Sequence, residues 1–343
     1  MTSDDGNDFT MVEAIAMVAD RQALTRGQAR AVMETLLAGE ATPAQIGAFL
    51  VGLRLKGVED EEVVGLVEAM RAASVKIRPQ RDVMVDLCGT GGDGSNTFNI
   101  STATALLVAA CGIAVAKHGN RSASSKCGSA DVLEALGVRI DLAPERATKA
   151  IEDLGFAFLF APHYHPAMKH VGGARRELKT RTVFNLLGPL TNPAGVTRQL
   201  LGVFDNEARP QLARVLHQLG SENVWVIHGA DGLDELTIAG STQVTSCTPS
   251  GLNEFVVQPA DAGLAEGSRK ELVGGDAAEN AKILEAVFTG EKGARRDVVV
   301  LNAAAALVVS GVDPDLPSGA QRAAEALDDG SAQELLGLLR EFE

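Results

Sequence analysis

The sequence is short of cysteine and of positive charge. Cys88, Cys111, Cys127 and Cys247 are the only four cysteines in 343 residues. They form no C-x-x-C pair and no metal-ligand spacing, which speaks against a thiolate site and fits reduced, core-filling thiols of a cytoplasmic protein. Lys and Arg number 31 against 45 Asp and Glu, a formal net charge of −14. Such an acidic chain is not expected to bind nucleic acid or an anionic membrane, although a locally positive pocket for an anionic small molecule remains open. Long apolar runs are missing too. The uncharged residues 99–116 include Ser101, Thr102, Thr104 and Gly112 and are too short and polar for a membrane span. The first residues, MTSDDGNDFT, have neither a basic n-region nor an apolar h-region, so no secretory signal is expected. Trp225 and Tyr164 are the only residues of their kinds, and Trp225 reads as strand packing.

What is present is ordinary for a globular protein, 45% hydrophobic and 22% charged residues in a length that suits two domains. Residues 10–73 read as helices, with apolar positions at helical spacing in MVEAIAMVADR, QARAVMETLLAG and EEVVGLVEAMRAA. Thr25 and Thr42 are expected N-caps and Gly39 a helix stop. From about Val83, β-rich runs (VMVDL, GIAVAK, FAFLFA, RQLLGVF, NVWVIHG, QVTSC) alternate with helical patterns, which predicts an α/β fold with a mostly parallel sheet. Ligands of such sheets bind beyond the carboxyl ends of the strands, so the informative residues follow each strand. The turn-rich residues 261–276 read as a surface excursion.

The stretch DLCGTGGDGSNTFNIST, residues 86–102, satisfies G-x-G-x-x-G through Gly89, Gly91 and Gly94. A dinucleotide site would need an acid about 20 residues on, at the end of the next strand. That strand, GIAVA, instead ends in Lys117 and His118, and no G-K-[ST] follows the glycines. A glycine turn before a hydroxyl-rich helix start remains, either an anion nest or an unliganded tight turn. The second turn, KHGNRSASSKCGSAD, adds Lys117, Arg121, Lys126, Ser122, Ser124, Ser125 and Ser129. Two adjacent strand ends so furnished predict a ligand with more than one phosphate. After VWVIHG come Asp231, Asp234 and Glu235; adjacent Asp234 and Glu235 read as oxygen donors for Mg²⁺, or the cluster as an acidic helix start.

In order and spacing, GTGGDGSNTFNIST, KHGNRSASSKCGSADVLEALG, FLFAPHYHPAMKHVGGARRELKTRTVFNLLGPLTNP and HGADGLDE resemble the anthranilate phosphoribosyltransferase family, over nearly the whole chain. The resemblance implies a small helical domain (1–74, completed by helices within about 166–192) hinged to a larger α/β domain (75–343) of nucleoside phosphorylase/phosphoribosyltransferase type, paired as a homodimer. It implies a Mg²⁺-dependent glycosyltransferase of tryptophan biosynthesis with two ions per monomer. That enzyme moves the phosphoribosyl group of 5-phosphoribosyl 1-diphosphate (PRPP) to the amine of anthranilate and releases pyrophosphate.

Carried over by position, Gly89, Gly92, Asp93, Thr97, Asn99, Ile100, Ser101 and Thr102 would hold PRPP. So would Lys117, His118, Gly119, Asn120, Arg121, Ser122, Ala123, Ser124, Ser125 and Ser129. Ser101 would bind one Mg²⁺, and Asp234 and Glu235 the other. Gly89, Asn120, Arg175 and His163 would contact anthranilate, with Arg175 on its carboxylate. The chain departs from the family at Gly172, Gly173 and Ala174, where a proline and a larger residue are common before that arginine. His163, His165 and His170 are expected to line the pocket and not to bind metal, because Mg²⁺ prefers oxygen. Since Arg175 and Arg176 are adjacent, one is expected to face solvent. No nucleophile–base pair is evident, so catalysis by positioning, charge and water-excluding closure is expected. The rival readings are a pyrimidine nucleoside phosphorylase, which would need no paired Mg²⁺ carboxylates, and a nucleic-acid-binding paralogue, which a basic stripe would mark.

Overall fold

The computed structural model describes residues 9–122 and 126–342. The chain resolves into two compact units, Met1–Val75 with Pro162–Pro193 and Lys76–Ala161 with Ala194–Glu343.

The first unit opens with four helices, α1 (Met11–Ala19), α2 (Arg26–Ala38), α3 (Pro43–Lys56) and α4 (Asp60–Ala73). Threonine hydroxyls start three of them: Thr10, Thr25 and Thr42 accept the backbone N–H of Glu13, Gln28 and Gln45, whose side chains return the bond. Each such capping box satisfies two N–H groups that a bare helix end leaves open. Gly39 ends α2 at φ 77°, a left-handed position that glycine occupies without strain. Glu62 of α4 is buried and ties three segments together, accepting Leu24 N at 2.9 Å, Glu59 N at 2.8 Å and Lys56 Nζ at 2.8 Å.

In the second unit β1 (Met84–Gly89), α5 (Ile100–Ala110), β2 (Ala114–Gly119), α6 (Ser129–Ala135), α7 (Pro144–Leu154) and β3 (Phe156–Phe160) alternate. The chain then passes through α8 (Ala161–Tyr164), α9 (Lys169–Leu178) and α10 (Phe184–Leu187). It resumes the sheet with β4 (Arg198–Gly202), α11 (Ala208–Gln218), β5 (Asn223–Gly229), β6 (Thr242–Thr248) and β7 (Gly251–Val257). Four helices follow: α12 (Ala277–Phe288), α13 (Ala294–Ser310), α14 (Leu316–Asp328) and α15 (Ser331–Glu341).

The sheet order is β3-β2-β1-β4-β5-β6-β7, parallel from β3 to β5 and antiparallel beyond. The outermost pair is a hairpin: Thr248 of β6 pairs with Gly251 of β7, and so short a connection can only turn back antiparallel. Val85, Leu87, Val115, Phe156, Leu200 and Ile227 share one buried cluster with α5 and α13. Trp225 packs there edge-on against Phe255, centroids 5.1 Å apart, as strand packing. At the carboxyl edge β1, β2, β4 and β5 all end in glycine, and Gly89 stands in register beside Gly202.

Candidate active site

The glycines after β1 form an open loop. Gly91, Gly92 and Gly94 have φ of 62°, 78° and 71°, all left-handed, whereas Gly89 is not among the positive-φ residues. Thr90 N donates to Gly202 O at 2.9 Å, and Gly91 N to Asp234 Oδ2 at 3.0 Å, so the loop leans over β4 and the end of β5. Helix α5 begins only at Ile100. Before it, Phe98 N donates to Leu272 O and Gly274 N to Asn96 O, both at 3.0 Å. Residues 261–276 therefore do not form the mere surface excursion expected from their turn-rich composition. Leu272 is in the core, and the segment holds the loop that leads into α5. Composition could not reveal backbone pairing across more than 170 residues. Thr97 bridges Val273 and its hydroxyl shares a 3.1 Å hydrogen bond with Ser95. The N–H groups of Ile100 and Thr102 donate to Phe98 O and Asn99 O, and the Thr102 hydroxyl is buried without a hydrogen-bond partner.

Lys117, in the last half of β2, is almost wholly buried. Its Nζ donates to Leu87 O at 2.5 Å and to Ser101 Oγ at 3.3 Å, and burial pulls its pKa down against the opposing pull of Asp86 and other acids. Asp86, absent from the expected site, is buried in β1 and accepts His118 N at 3.2 Å and Gln199 Nε2 at 3.4 Å. In the next turn, Asn120 Oδ1 accepts Arg121 N at 2.7 Å. Arg121 is met by acids: Nη1 donates to Asp131 Oδ1 at 2.9 Å and Glu134 Oε2 at 2.5 Å. Asp131 also accepts Gly128 N at 2.8 Å and Ser122 N at 3.3 Å, which folds the turn back onto α6, opened by Ser129. Ala123, Ser124 and Ser125 lie outside the described residues.

Beyond β5, Asp234 and Glu235 meet Asp93 from the glycine loop, with one carboxylate oxygen of each within 4.8 Å of the others. The sequence grouped Asp231 with this pair. Asp231 itself accepts Thr237 Oγ1 at 3.0 Å and Leu233 N at 3.4 Å, fixing its own turn, and Asp93 of the glycine loop is the third acid beside the pair. Burial, then the charge of Asp93, pushes Asp234 up to about 6. Burial and both neighbours push Glu235 well above the usual carboxylate range. Glu235 Oε2 and Asp93 Oδ2 are withdrawn from solvent with no hydrogen-bond partner. Three repelling carboxylates with unused lone pairs fit a hard divalent cation held through oxygen. Ser101, Thr104, Asp234, Glu235 and Asn302 line one small cavity at this edge of the sheet.

The remaining candidates belong to the helical unit. Arg175 on α9 is half-buried with its guanidinium 4.7 Å from the Phe184 ring centroid, and burial lowers its pKa. Neighbouring Arg176 is exposed, so the pair divides as expected. His163 is exposed, while His165 is buried, hydrogen-bonded to the Thr191 backbone, and driven down to about 4 by desolvation. Among the described residues, the carboxylates 93, 234 and 235 form the only cluster able to hold a metal, and no histidine joins it.

Two family descriptions match the chain: the glycosyl transferase family helical bundle domain over residues 12–74 and its a/b domain over residues 81–333. Anthranilate phosphoribosyltransferase of Myxococcus xanthus is 51% identical over 97% of this chain and 99% of its own. The crystal structure of anthranilate phosphoribosyltransferase from Thermus thermophilus superposes with a TM-score of 0.91 at 44% identity, covering 96% of this chain and 98% of the other. The Saccharomyces cerevisiae enzyme, solved in complex with PRPP and Mg, superposes at 0.89 with 27% identity and 98% coverage of both chains. Helical bundle, mostly parallel sheet, glycine-rich turn and carboxylate cluster thus coincide with similarity over nearly the whole chain, and the chain belongs to the anthranilate phosphoribosyltransferase family.

Proposed function

We propose that this protein transfers the phosphoribosyl group of PRPP to the amine of anthranilate, yielding N-(5-phosphoribosyl)anthranilate and pyrophosphate for tryptophan biosynthesis. The observation that carries the reading is the cluster of Asp93, Asp234 and Glu235 facing a glycine loop, with Lys117 and Ser101 at the same sheet edge. The yeast relative's complex with PRPP and Mg supports it.

In this reading Gly89, Gly92, Asp93, Thr97 and residues 99–102, 117–125 and 129 cradle PRPP. Two Mg²⁺ ions bind, one through Ser101 and one through Asp234 and Glu235, with Asp93 beside them. Breaking the bond between ribose C1 and pyrophosphate leaves positive charge on the sugar and negative charge on the leaving group. The metal supplies charge neutralisation on the pyrophosphate. Loop N–H groups and Lys117 hold that end of the substrate and stabilise the charge that develops there. The aniline nitrogen attacks with its own lone pair, so the absence of a general base is no obstacle.

Arg175, together with Gly89, Asn120 and His163, receives anthranilate. Arg175 suits the carboxylate because it rests on an aromatic face instead of an acid. The protein works as a homodimer paired through the helical unit, where Val12 and Leu55 are exposed. Its place is the cytoplasm; no helix among the described residues is long and apolar enough to cross a membrane.

The test is to mix the protein with anthranilate, PRPP and Mg²⁺ and follow anthranilate fluorescence. A PRPP- and Mg²⁺-dependent decay is expected; unchanged fluorescence with folded protein would refute the proposal.

A further inference from the structure

Asparagine is a favoured N-cap because its side-chain oxygen can accept an N–H of the first helical turn. Asn99 caps α5 without doing so. Its backbone carbonyl accepts Thr102 N at 3.1 Å and Ala103 N at 3.0 Å, while its side chain makes no capping bond. Both ends of the amide are engaged elsewhere: Oδ1 accepts Asn280 Nδ2 at 2.9 Å, and Nδ2 donates to Cys127 O at 3.2 Å. Asn280 sits buried on α12, and its own Oδ1 accepts Gly275 N at 2.7 Å. Gly275 follows Gly274, where an added Cβ would stand 2.6 Å from the Phe98 backbone. The Cys127 thiol lies against the same Asn280 side chain.

We infer that Asn280 is a positioning residue for PRPP binding, acting through Asn99 to join the glycine loop, the second phosphate turn and residues 272–275 into one unit. The Asn280 oxygen must meet an N–H, so its nitrogen points at Asn99. That contact then commits the Asn99 oxygen and turns its nitrogen toward Cys127. A buried amide pair with both ends satisfied holds its surroundings in one arrangement. Two turns approaching one ligand from neighbouring strands must keep a fixed spacing, and this pair sets it. The inference rests on the assignment of both turns to PRPP.

Asn280→Asp keeps the size of the side chain and its acceptor for Gly275 but sets a carboxylate oxygen against Asn99 Oδ1. The expected result is a rise of about ten-fold in the KM for PRPP and in its calorimetric Kd with Mg²⁺, with the KM for anthranilate unchanged. In an Asn99→Ala background, Asn280→Asp should add no further loss, since no amide is left to orient. An unchanged PRPP KM, equal losses for both substrates, or additive effects in the double variant would overturn the inference. Should Asn280→Asp not fold, Asn280→Ser removes the same donor and carries the test. A wild-type protein inactive in the fluorescence assay would defeat the proposed function itself. An active wild type with an Asn280 variant of normal PRPP affinity would defeat only the present inference.

Discussion

Gly202 lies so close to Asp234 that a Cβ on the glycine would fall 1.5 Å from the Asp234 backbone oxygen. No rotamer change relieves a clash with backbone. Across the same ladder, a Cβ on Gly89 would stand 2.4 Å from Asp234 Oδ2. The two glycines, paired in register, leave the space that Asp234 fills. Gly202→Ala is therefore expected to abolish Mg²⁺-dependent PRPP binding, measured by calorimetry. Gly89→Ala, which meets only a movable carboxylate, should raise the half-saturating Mg²⁺ about ten-fold. Equal effects from the two would contradict the distinction between backbone and side chain.

Glu235 sets stability against its proposed role as a metal ligand. Its carboxylate is held well above its usual range by burial and by Asp234 and Asp93, so ionising it costs stability when no cation is present. Glu235→Gln should raise the Mg²⁺-free thermal midpoint by a few degrees, corresponding to about 1 kcal/mol, while removing most transferase activity. Calorimetric scanning with and without Mg²⁺ checks this, and a lower midpoint in the metal-free variant would count against it.

Arg175 and Phe184 give a prediction that separates the substrates. Arg175→Ala should raise the KM for anthranilate about 10- to 100-fold, the worth of a hydrogen bond to a charged group, with little effect on PRPP. Phe184→Leu keeps the guanidinium but removes its aromatic support, so a smaller rise of about 5-fold is expected. Steady-state kinetics with each substrate varied would settle the order, and a larger loss in the leucine variant would reverse the assigned roles.

Much of this was legible in the sequence because it rests on short-range rules. Thr25, Thr42 and Gly39 sit at the helix ends they were expected to mark, because capping is decided within four residues. The mostly parallel sheet followed from alternating strand and helix patterns. What escaped depends on tertiary approach. Asp93 joins Asp234 across more than 140 residues, so the acids of one turn showed only Asp234 and Glu235 of the cluster. Gly202 carried no motif, and Asn280 looks like any polar position on a surface helix until α12 is seen packed against α6. Glycine spacing could not show the loop's geometry, which depends on the partner segment 272–275, far along the chain.

In the helical unit, Lys56 and Glu62 form an ion pair with side chains only 4% and 0% exposed. Glu62 also satisfies two backbone N–H groups, so removing it strands three donors at once. Glu62→Ala should cost about 3–5 kcal/mol, the usual loss when one partner of a buried pair is deleted. Replacing both residues by apolar ones should cost less than the single change, as a double-mutant cycle in urea would measure.

His165 gives the pH dependence. Its pKa is about 4 in the folded protein against 6.5 when solvated, because burial disfavours the imidazolium. Between these values the unfolded chain binds the proton that the folded chain refuses, so unfolding is favoured as the pH falls. The stabilisation is complete above about pH 6.5 and is lost progressively toward pH 4, by roughly 2–3 kcal/mol in all. Asn or Gln at the position cannot take up a proton. His165→Gln should therefore flatten the thermal midpoint across this window while lowering it at pH 7, where the wild-type imidazole is neutral and hydrogen-bonded to the Thr191 backbone. A wild-type midpoint that does not fall between pH 6.5 and 4 relative to the variant would show that His165 is not buried as a neutral base.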